Sequence, residues 1–123
     1  WLSPKKFRRS ISSSTLSTVR NEWKLIRILM NGGSPSQLKQ AVISADRAFD
    51  TVLKDLVEGN TMGERLKNSQ DKFNDYKDYQ SIWDAHKVRN SLVHEVGFEP
   101  PHLMLTQTVK KFEKGLLSLR VTL

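Results

Sequence analysis

Apolar residues recur every three or four positions in several long stretches of this sequence, and this spacing constrains the fold more than any other feature. The clearest stretch follows Ser34 and Pro35, which suit the N-cap and first position of a helix, and it ends before Gly59. Its apolar positions are Leu38, Ala41, Val42, Ala45, Phe49, Val52, Leu53 and Leu56. Such a stripe covers one face of a helix, which must be buried against other helices.

Three further stretches have the same period. The spacing predicts helices over about 18–30, 76–95 and 106–119, and a short helix that begins at Thr61 with a capping-box pattern through Glu64. Strict alternation of apolar and polar residues is rare, which argues against strands. The 123-residue chain is therefore predicted to be all-α, an antiparallel up-and-down helical bundle of four main helices plus one short helix.

The basic charge is concentrated near the N-terminus. Residues 1–27 contain seven Lys and Arg against one Glu, whereas residues 28–123 contain thirteen Lys and Arg against twelve Asp and Glu. Residues 1–16 are Ser-rich and lack a helical stripe, so we expect a tail or linker there and the bundle over 17–123. Three interpretations of the tail stay open: a solvated flexible end, a basic segment beside a membrane, or an arm that binds nucleic acid.

The composition bounds the sites that the chain can build. It has no cysteine, which excludes disulfides and thiolate metal sites and suits a reducing cytoplasm. Its three histidines are unevenly placed, and we expect neither a metal nor a cofactor. No apolar run approaches the about 20 residues of a membrane helix. Because the chain begins with Trp1 instead of Met, we expect a processed or trimmed piece, and a membrane helix before it would place the domain at the inner, cytoplasmic face.

The helix predicted over 76–95 departs from an apolar stripe in its second half. His86, Asn90 and His94 are spaced four residues apart and therefore follow one side of the helix. Arg89 is one residue from Asn90, and its long side chain can bend toward that side. Arg89 and His94 differ by about 7.5 Å of rise and about 140° of rotation, so they meet on one ligand only if the helix distorts or a second subunit completes the site.

Arg89 and His94 are the candidate catalytic residues. Arginine binds phosphate oxygens through two hydrogen bonds, and histidine transfers protons near neutral pH. Because RNA carries its own nucleophile, the 2′-hydroxyl, such a pair could cleave it without a metal. Asn90 would orient the phosphate or the histidine, and His86 and Asp46 are candidate binding or supporting residues.

Other interpretations of the same residues stay open. Arg89 would be structural if it formed a buried pair with a carboxylate of the preceding long helix, either Asp46 or Asp50. Arg89 would have a binding role only if the ligand were bound without catalysis. Independently of Arg89, His86 could be a histidine at the edge of the core instead of a functional group.

The segment from Arg89 to His94 resembles the R-x(4–6)-H motif of the HEPN superfamily, whose arginine is often followed by a polar residue, as it is here by Asn90. The resemblance covers about residues 19–120 in helix order. More narrowly, a widespread group of uncharacterised bacterial proteins, whose bundle often follows a membrane helix, is similar in the segments ADRAFD, TMGERL and WDAHKVRNSLVHE.

Membership of this superfamily would imply a helical bundle that cleaves RNA without metal, with the motifs of two subunits brought together. Many members bind RNA, nucleotides or partners without catalysis. The expected partners are therefore RNA or a nucleotide and a second copy of the chain. The alternative is a non-catalytic interaction or ligand-binding module tethered near the cytoplasmic face of a membrane.

Overall fold

A computed structural model describes residues 9–123, and the regular secondary structure in this range is all helical, with no strand. One turn of 3-10 helix over Gln70–Lys72 precedes the fourth helix. The helices are α1 (Ser13–Gly32), α2 (Pro35–Leu56), α3 (Met62–Lys67), α4 (Tyr76–His94) and α5 (His102–Ser118). The predicted all-α bundle, with four long helices and one short one, is confirmed.

Serine caps begin the two longest helices. The Ser12 hydroxyl accepts the Thr15 N–H at the start of α1, and Ser34 forms a complete capping box with Gln37 at the start of α2. Between them, Gly33 ends α1 with a φ of 72°, a left-handed conformation that glycine adopts without a steric penalty. The local sequence therefore sets both ends of the α1–α2 connection.

Helices α1 and α2 pack antiparallel to each other, and so do α4 and α5. The start of α1 lies beside the end of α2, where the Ser12 N–H donates to the Asp55 carboxylate at 2.9 Å. The start of α4 likewise lies beside the end of α5, where the Ser118 hydroxyl donates to Asp78 at 2.7 Å. Helix α2 is central, because it packs against α1, α3, α4 and α5.

The core is built from apolar side chains of all four long helices. Phe49 of α2 and Phe112 of α5 pack with ring centroids 5.9 Å apart. Gly115 allows a close approach of α5, because a Cβ there would lie 2.3 Å from the Ile82 Cδ1 atom of α4. The largest fully buried side chains are Trp23, Phe49, Phe112, Ile26, Leu38, Leu53, Leu66, Ile82, Leu105 and Leu116.

The predicted tail boundary at residue 16 is wrong, because α1 already begins at Ser13. Ser12 caps the helix with its own hydroxyl, and the Asp55 carboxylate on α2 fixes this cap residue by accepting its N–H. The Ser12 backbone N–H and the Thr15 hydroxyl lower the pKa of Asp55 below its usual value. Residues 1–8 of the predicted tail lie outside the described residues.

Helix α5 begins four residues earlier than predicted, at His102 instead of Thr106. Pro101 occupies its N-cap, and the Pro101 carbonyl accepts the N–H groups of Met104 and Leu105. Leu105 is buried, so this first turn contributes to the core. In the range that the structure covers, no helix combines the length and apolar character that crossing a membrane requires.

Candidate functional site

An open cleft of about 540 Å³ lies where α2, α3 and α4 meet, and we call it the Arg89 cleft. Four of the five predicted site residues line it: Asp46, His86, Arg89 and Asn90. The full lining consists of Ile43, Asp46, Arg47, Asp50, Thr61, Met62, Gly63, His86, Arg89 and Asn90. His94 is not among these residues; it is the last residue of α4 and is exposed.

Asp46 links α2 to α4. It lies beside the apolar stripe of α2, and this position buries its carboxylate, whose side chain is only 6% exposed. A buried carboxylate needs hydrogen-bond donors. His86 supplies one, because its Nδ1–H donates to Asp46 Oδ2 at 2.7 Å. In the neutral ring this leaves the His86 Nε2 atom as an acceptor.

His86 combines a packing role with a polar one. The ring is buried and lies edge-on to Trp83, with centroids 6.3 Å apart. Its Nε2 atom is 3.5 Å from the Asn90 side-chain nitrogen, one helical turn further along α4. His86 is thus a residue of the core edge that also lines the cleft.

Arg89 is only partly paired. Its Nη1 donates to Asn90 Oδ1 at 3.0 Å. Its Nε lies 3.6 Å from Asp46 Oδ1, which is too long for a hydrogen bond, and it is buried without a hydrogen-bond partner among the described residues. The side chain is 31% exposed at the cleft. The predicted Arg89–Asp46 proximity is present, but as a loose electrostatic contact.

The four side chains close a ring of polar contacts. Asp46 accepts from His86, His86 faces Asn90, Asn90 accepts from Arg89, and Arg89 lies near Asp46 again. Three members come from one side of α4 because of their spacing of three and four residues, and the fourth comes from α2. The ring holds the guanidinium at the edge of the cleft without satisfying all of its donors.

The other aspartate on this side of α2, Asp50, pairs with Arg65 and not with Arg89. Arg65 Nε and Nη2 donate to the two Asp50 oxygens at 2.7 and 2.8 Å, and Nη1 donates to the Gly59 carbonyl at 2.9 Å. The hydrogen bond to Asp50 is the main cause that raises the pKa of Arg65. This pair joins α3 to α2 and forms one wall of the cleft.

Arg65 was not among the predicted site residues, although the sequence contains a signal for it. Arg65 lies between Met62 and Leu66 on a helix too short to be stable alone, so some side chain had to attach that helix to the bundle. Asp46 and Asp50 lie one turn apart beside a buried stripe, where each carboxylate requires a partner.

Between residues 9 and 123, no group of three or more His, Asp or Glu side chains is placed to hold a metal ion. No family model matches the chain, and comparisons with curated proteins and with solved structures also find no match. Inference about function therefore depends on the Arg89 cleft and on the motif that lines it.

Proposed function

We propose that this chain is a HEPN-like domain that binds RNA at Arg89 and cleaves it without a metal ion. The observation that carries the proposal is the incomplete pairing of the Arg89 guanidinium beside an open cleft. Its nearest carboxylate, Asp46, is 3.6 Å away and is engaged with His86. A planar cation with unused donors favours a ligand with two oxygens at matching spacing, such as a phosphodiester.

The proposed reaction is a transesterification within RNA. The 2′-oxygen forms a bond to phosphorus while the bond to the 5′-oxygen breaks, which leaves a cyclic phosphate and a free 5′-hydroxyl. His94 accepts the 2′-hydroxyl proton, and water protonates the departing 5′-oxygen. Arg89 stabilises the negative charge that develops on the phosphoryl oxygens.

The proposal includes a homodimer, because His94 lies outside the cleft of its own chain. His94 is exposed at the end of α4, beside the exposed apolar residues Val93 (47%) and Val96 (104%). A second copy could bury these two side chains around a two-fold axis and bring its His94 to the Arg89 cleft of the first copy.

Binding is tested with a labelled single-stranded RNA at several salt concentrations. Arg89→Ala is expected to weaken affinity by about 10- to 100-fold, the effect of losing hydrogen bonds to a charged group. It should also reduce the dependence of affinity on salt by about the contribution of one phosphate. Lys87→Ala is the matched control, since Lys87 is an exposed cation on another side of α4. Unchanged affinity in a folded Arg89→Ala variant would refute RNA binding at Arg89.

Cleavage is tested in the presence of a chelator by mixing two inactive variants. Arg89→Ala and His94→Ala should each lose activity, while their mixture should recover about a quarter of it. The recovery is expected because half of the dimers are mixed and each then has one intact composite site. No recovery from two folded variants would show that the two residues do not act across a dimer.

A second candidate function is binding without catalysis. It is favoured by the position of His94 outside the cleft and by the Asp46 carboxylate, which offsets part of the Arg89 charge. This candidate predicts that the wild-type protein binds RNA or a nucleotide and does not cleave the bound ligand. A module tethered near the cytoplasmic face of a membrane belongs to this candidate, and the gene sequence upstream of Trp1 would then encode about 20 apolar residues.

A further inference from the structure

The solvent-facing side of α1 combines cations with exposed aliphatic residues. Arg20, Lys24 and Arg27 follow one another at spacings of four and three, so they lie in one row. Ile28 lies about 40° around the helix from Lys24 and Leu25 about 100°, both on the solvent-facing side, and they are 63% and 58% exposed. We call these five residues the basic α1 face.

Little negative charge offsets these cations. The single acidic residue of α1, Glu22, is engaged by Arg47 of α2 at 2.6 Å. The carboxylate of Glu113 is 3.8 Å from Arg27 and also accepts the Trp23 indole N–H. Among the described residues, no carboxylate pairs with Arg20 or Lys24; the Arg20 Nε donates to the Thr122 carbonyl instead. The row therefore presents a net positive surface.

The cations border a groove of about 320 Å³ between α1 and the end of the chain. Neutral hydrogen-bonding side chains alternate with the charged ones, a composition that suits phosphate oxygens. The lining residues are Ser13, Ser17, Arg20, Asn21, Lys24, Arg27 and Leu123.

The basic α1 face and the Arg89 cleft are separate surfaces. The cleft is lined by residues of α2, α3 and α4, whereas the row of cations lies on the side of α1 next to α5 and the chain end. An inference about this face therefore does not depend on the proposed function.

Leu25 and Ile28 indicate the class of partner. A nucleic-acid backbone is bound by cations and hydrogen-bond donors and gains little from protruding aliphatic side chains. Proteins that lie on membranes place aliphatic side chains among lysines and arginines, so that the apolar groups enter the interface while the cations contact lipid phosphates. The sequence before α1 adds Lys5, Lys6 and Arg8, whereas the neighbouring Arg9 pairs with Glu58.

We propose that the basic α1 face docks on an anionic lipid surface. The cations contact the phosphate headgroups, and the two aliphatic side chains enter the boundary between headgroups and acyl chains. The docked domain would leave the Arg89 cleft, on other helices, open to solution.

The test is co-sedimentation of the full chain with vesicles of phosphatidylcholine, alone or mixed in equal parts with phosphatidylglycerol. We expect binding to the mixed vesicles only. The Lys24→Glu/Arg27→Glu variant should have at least about 10-fold lower affinity for them. The Leu25→Ser/Ile28→Ser variant should lose affinity by a similar factor, although its charge is unchanged. Leu103→Ser is the matched control, because Leu103 is a 64% exposed aliphatic residue outside α1, on α5. Circular dichroism would verify that each variant is folded.

Three outcomes would overturn the proposal. One is binding that survives both α1 double variants but disappears in Lys5→Ser/Lys6→Ser, which would assign it to the basic segment before α1. Another combines two results: Lys24→Glu/Arg27→Glu loses RNA binding, and Leu25→Ser/Ile28→Ser still binds vesicles. Together they would indicate a site for polyanions in general. The third is no binding to the mixed vesicles. The Arg89→Ala variant should bind vesicles normally, so a failure of the RNA proposal can be distinguished from a failure of the lipid proposal.

Discussion

Helix α2 presents two aspartates one turn apart, Asp46 and Asp50, and an arginine lies beside each of them with a different geometry. Arg65 meets both oxygens of Asp50 at 2.7 and 2.8 Å and uses its remaining terminal nitrogen on the Gly59 carbonyl. Arg89 comes no closer than 3.6 Å to Asp46, whose other oxygen is bound to His86. The side-chain exposure is 11% for Arg65 and 31% for Arg89.

This difference separates a structural arginine from one that is available to a ligand. A buried arginine such as Arg65, each of whose three nitrogens donates a hydrogen bond, stabilises the fold, and removing it leaves an uncompensated carboxylate. An arginine with an unsatisfied buried Nε contributes little to stability, because desolvation offsets its weak contacts. Two aspartates one turn apart on α2 therefore face arginines of two different helices, and Arg65 of α3 is fully engaged by its aspartate whereas Arg89 of α4 is not.

The largest effect on stability is expected at Arg65. Arg65→Ala should lower the free energy of unfolding by about 3 kcal/mol, since it leaves Asp50 buried without its partner. Arg65→Lys should recover less than half of that loss, because an ammonium group cannot reproduce the bidentate geometry. Urea denaturation followed by circular dichroism measures both variants. A loss below about 1 kcal/mol in Arg65→Ala would place the pair among weak surface salt bridges.

The same substitution at the two aspartates should have unequal effects. Asp50→Asn is expected to lower the free energy of unfolding by about 2 kcal/mol, because the Arg65 guanidinium loses its charged acceptor. Asp46→Asn is expected to lower it by about 1 kcal/mol, since the amide oxygen can still accept a hydrogen bond from His86. Denaturation of the two variants under identical conditions tests the order, and a reversed order would contradict the roles assigned here.

The smallest effect is expected at Arg89. Arg89→Met keeps much of the aliphatic packing and removes the unsatisfied Nε, so stability should change by less than about 1 kcal/mol. The same variant should lose RNA affinity as strongly as Arg89→Ala. Thermal and urea denaturation, paired with the RNA titration, separate the two properties. If Arg89→Met destabilised the protein as much as Arg65→Ala does, Arg89 would be a structural residue.

Much of the fold was predictable because its signals are local. Ser34, Pro35 and Gly33 set the α1–α2 connection through cap and backbone preferences that depend on neighbouring residues only. Both helix starts that were placed too late lack an unambiguous local signal. Ser12 caps α1 locally, but it is one of several serines in a row, and the bond from its N–H to Asp55, 43 residues away in sequence, selects it. The start of α5 has a proline as its N-cap, without a capping side chain to indicate it.

The candidate site was predictable mainly along one helix, with Asp46 of α2 as the one residue correctly added from another helix. The spacing of His86, Arg89 and Asn90 places them together, since helical geometry alone determines which residues share a side. The position of His94 outside the cleft follows from where α4 ends, and the Arg65–Asp50 pair follows from how α3 packs on α2.

Apolar periodicity and capping residues were enough to predict a bundle of capped amphipathic helices with a polar row on α4. They did not predict which of the two aspartates pairs with which arginine. Periodicity and capping act over a few residues, whereas the pairing of a buried charge depends on the relative position of helices that are distant in sequence. That pairing is what leaves Arg89 with unused donors at an open cleft.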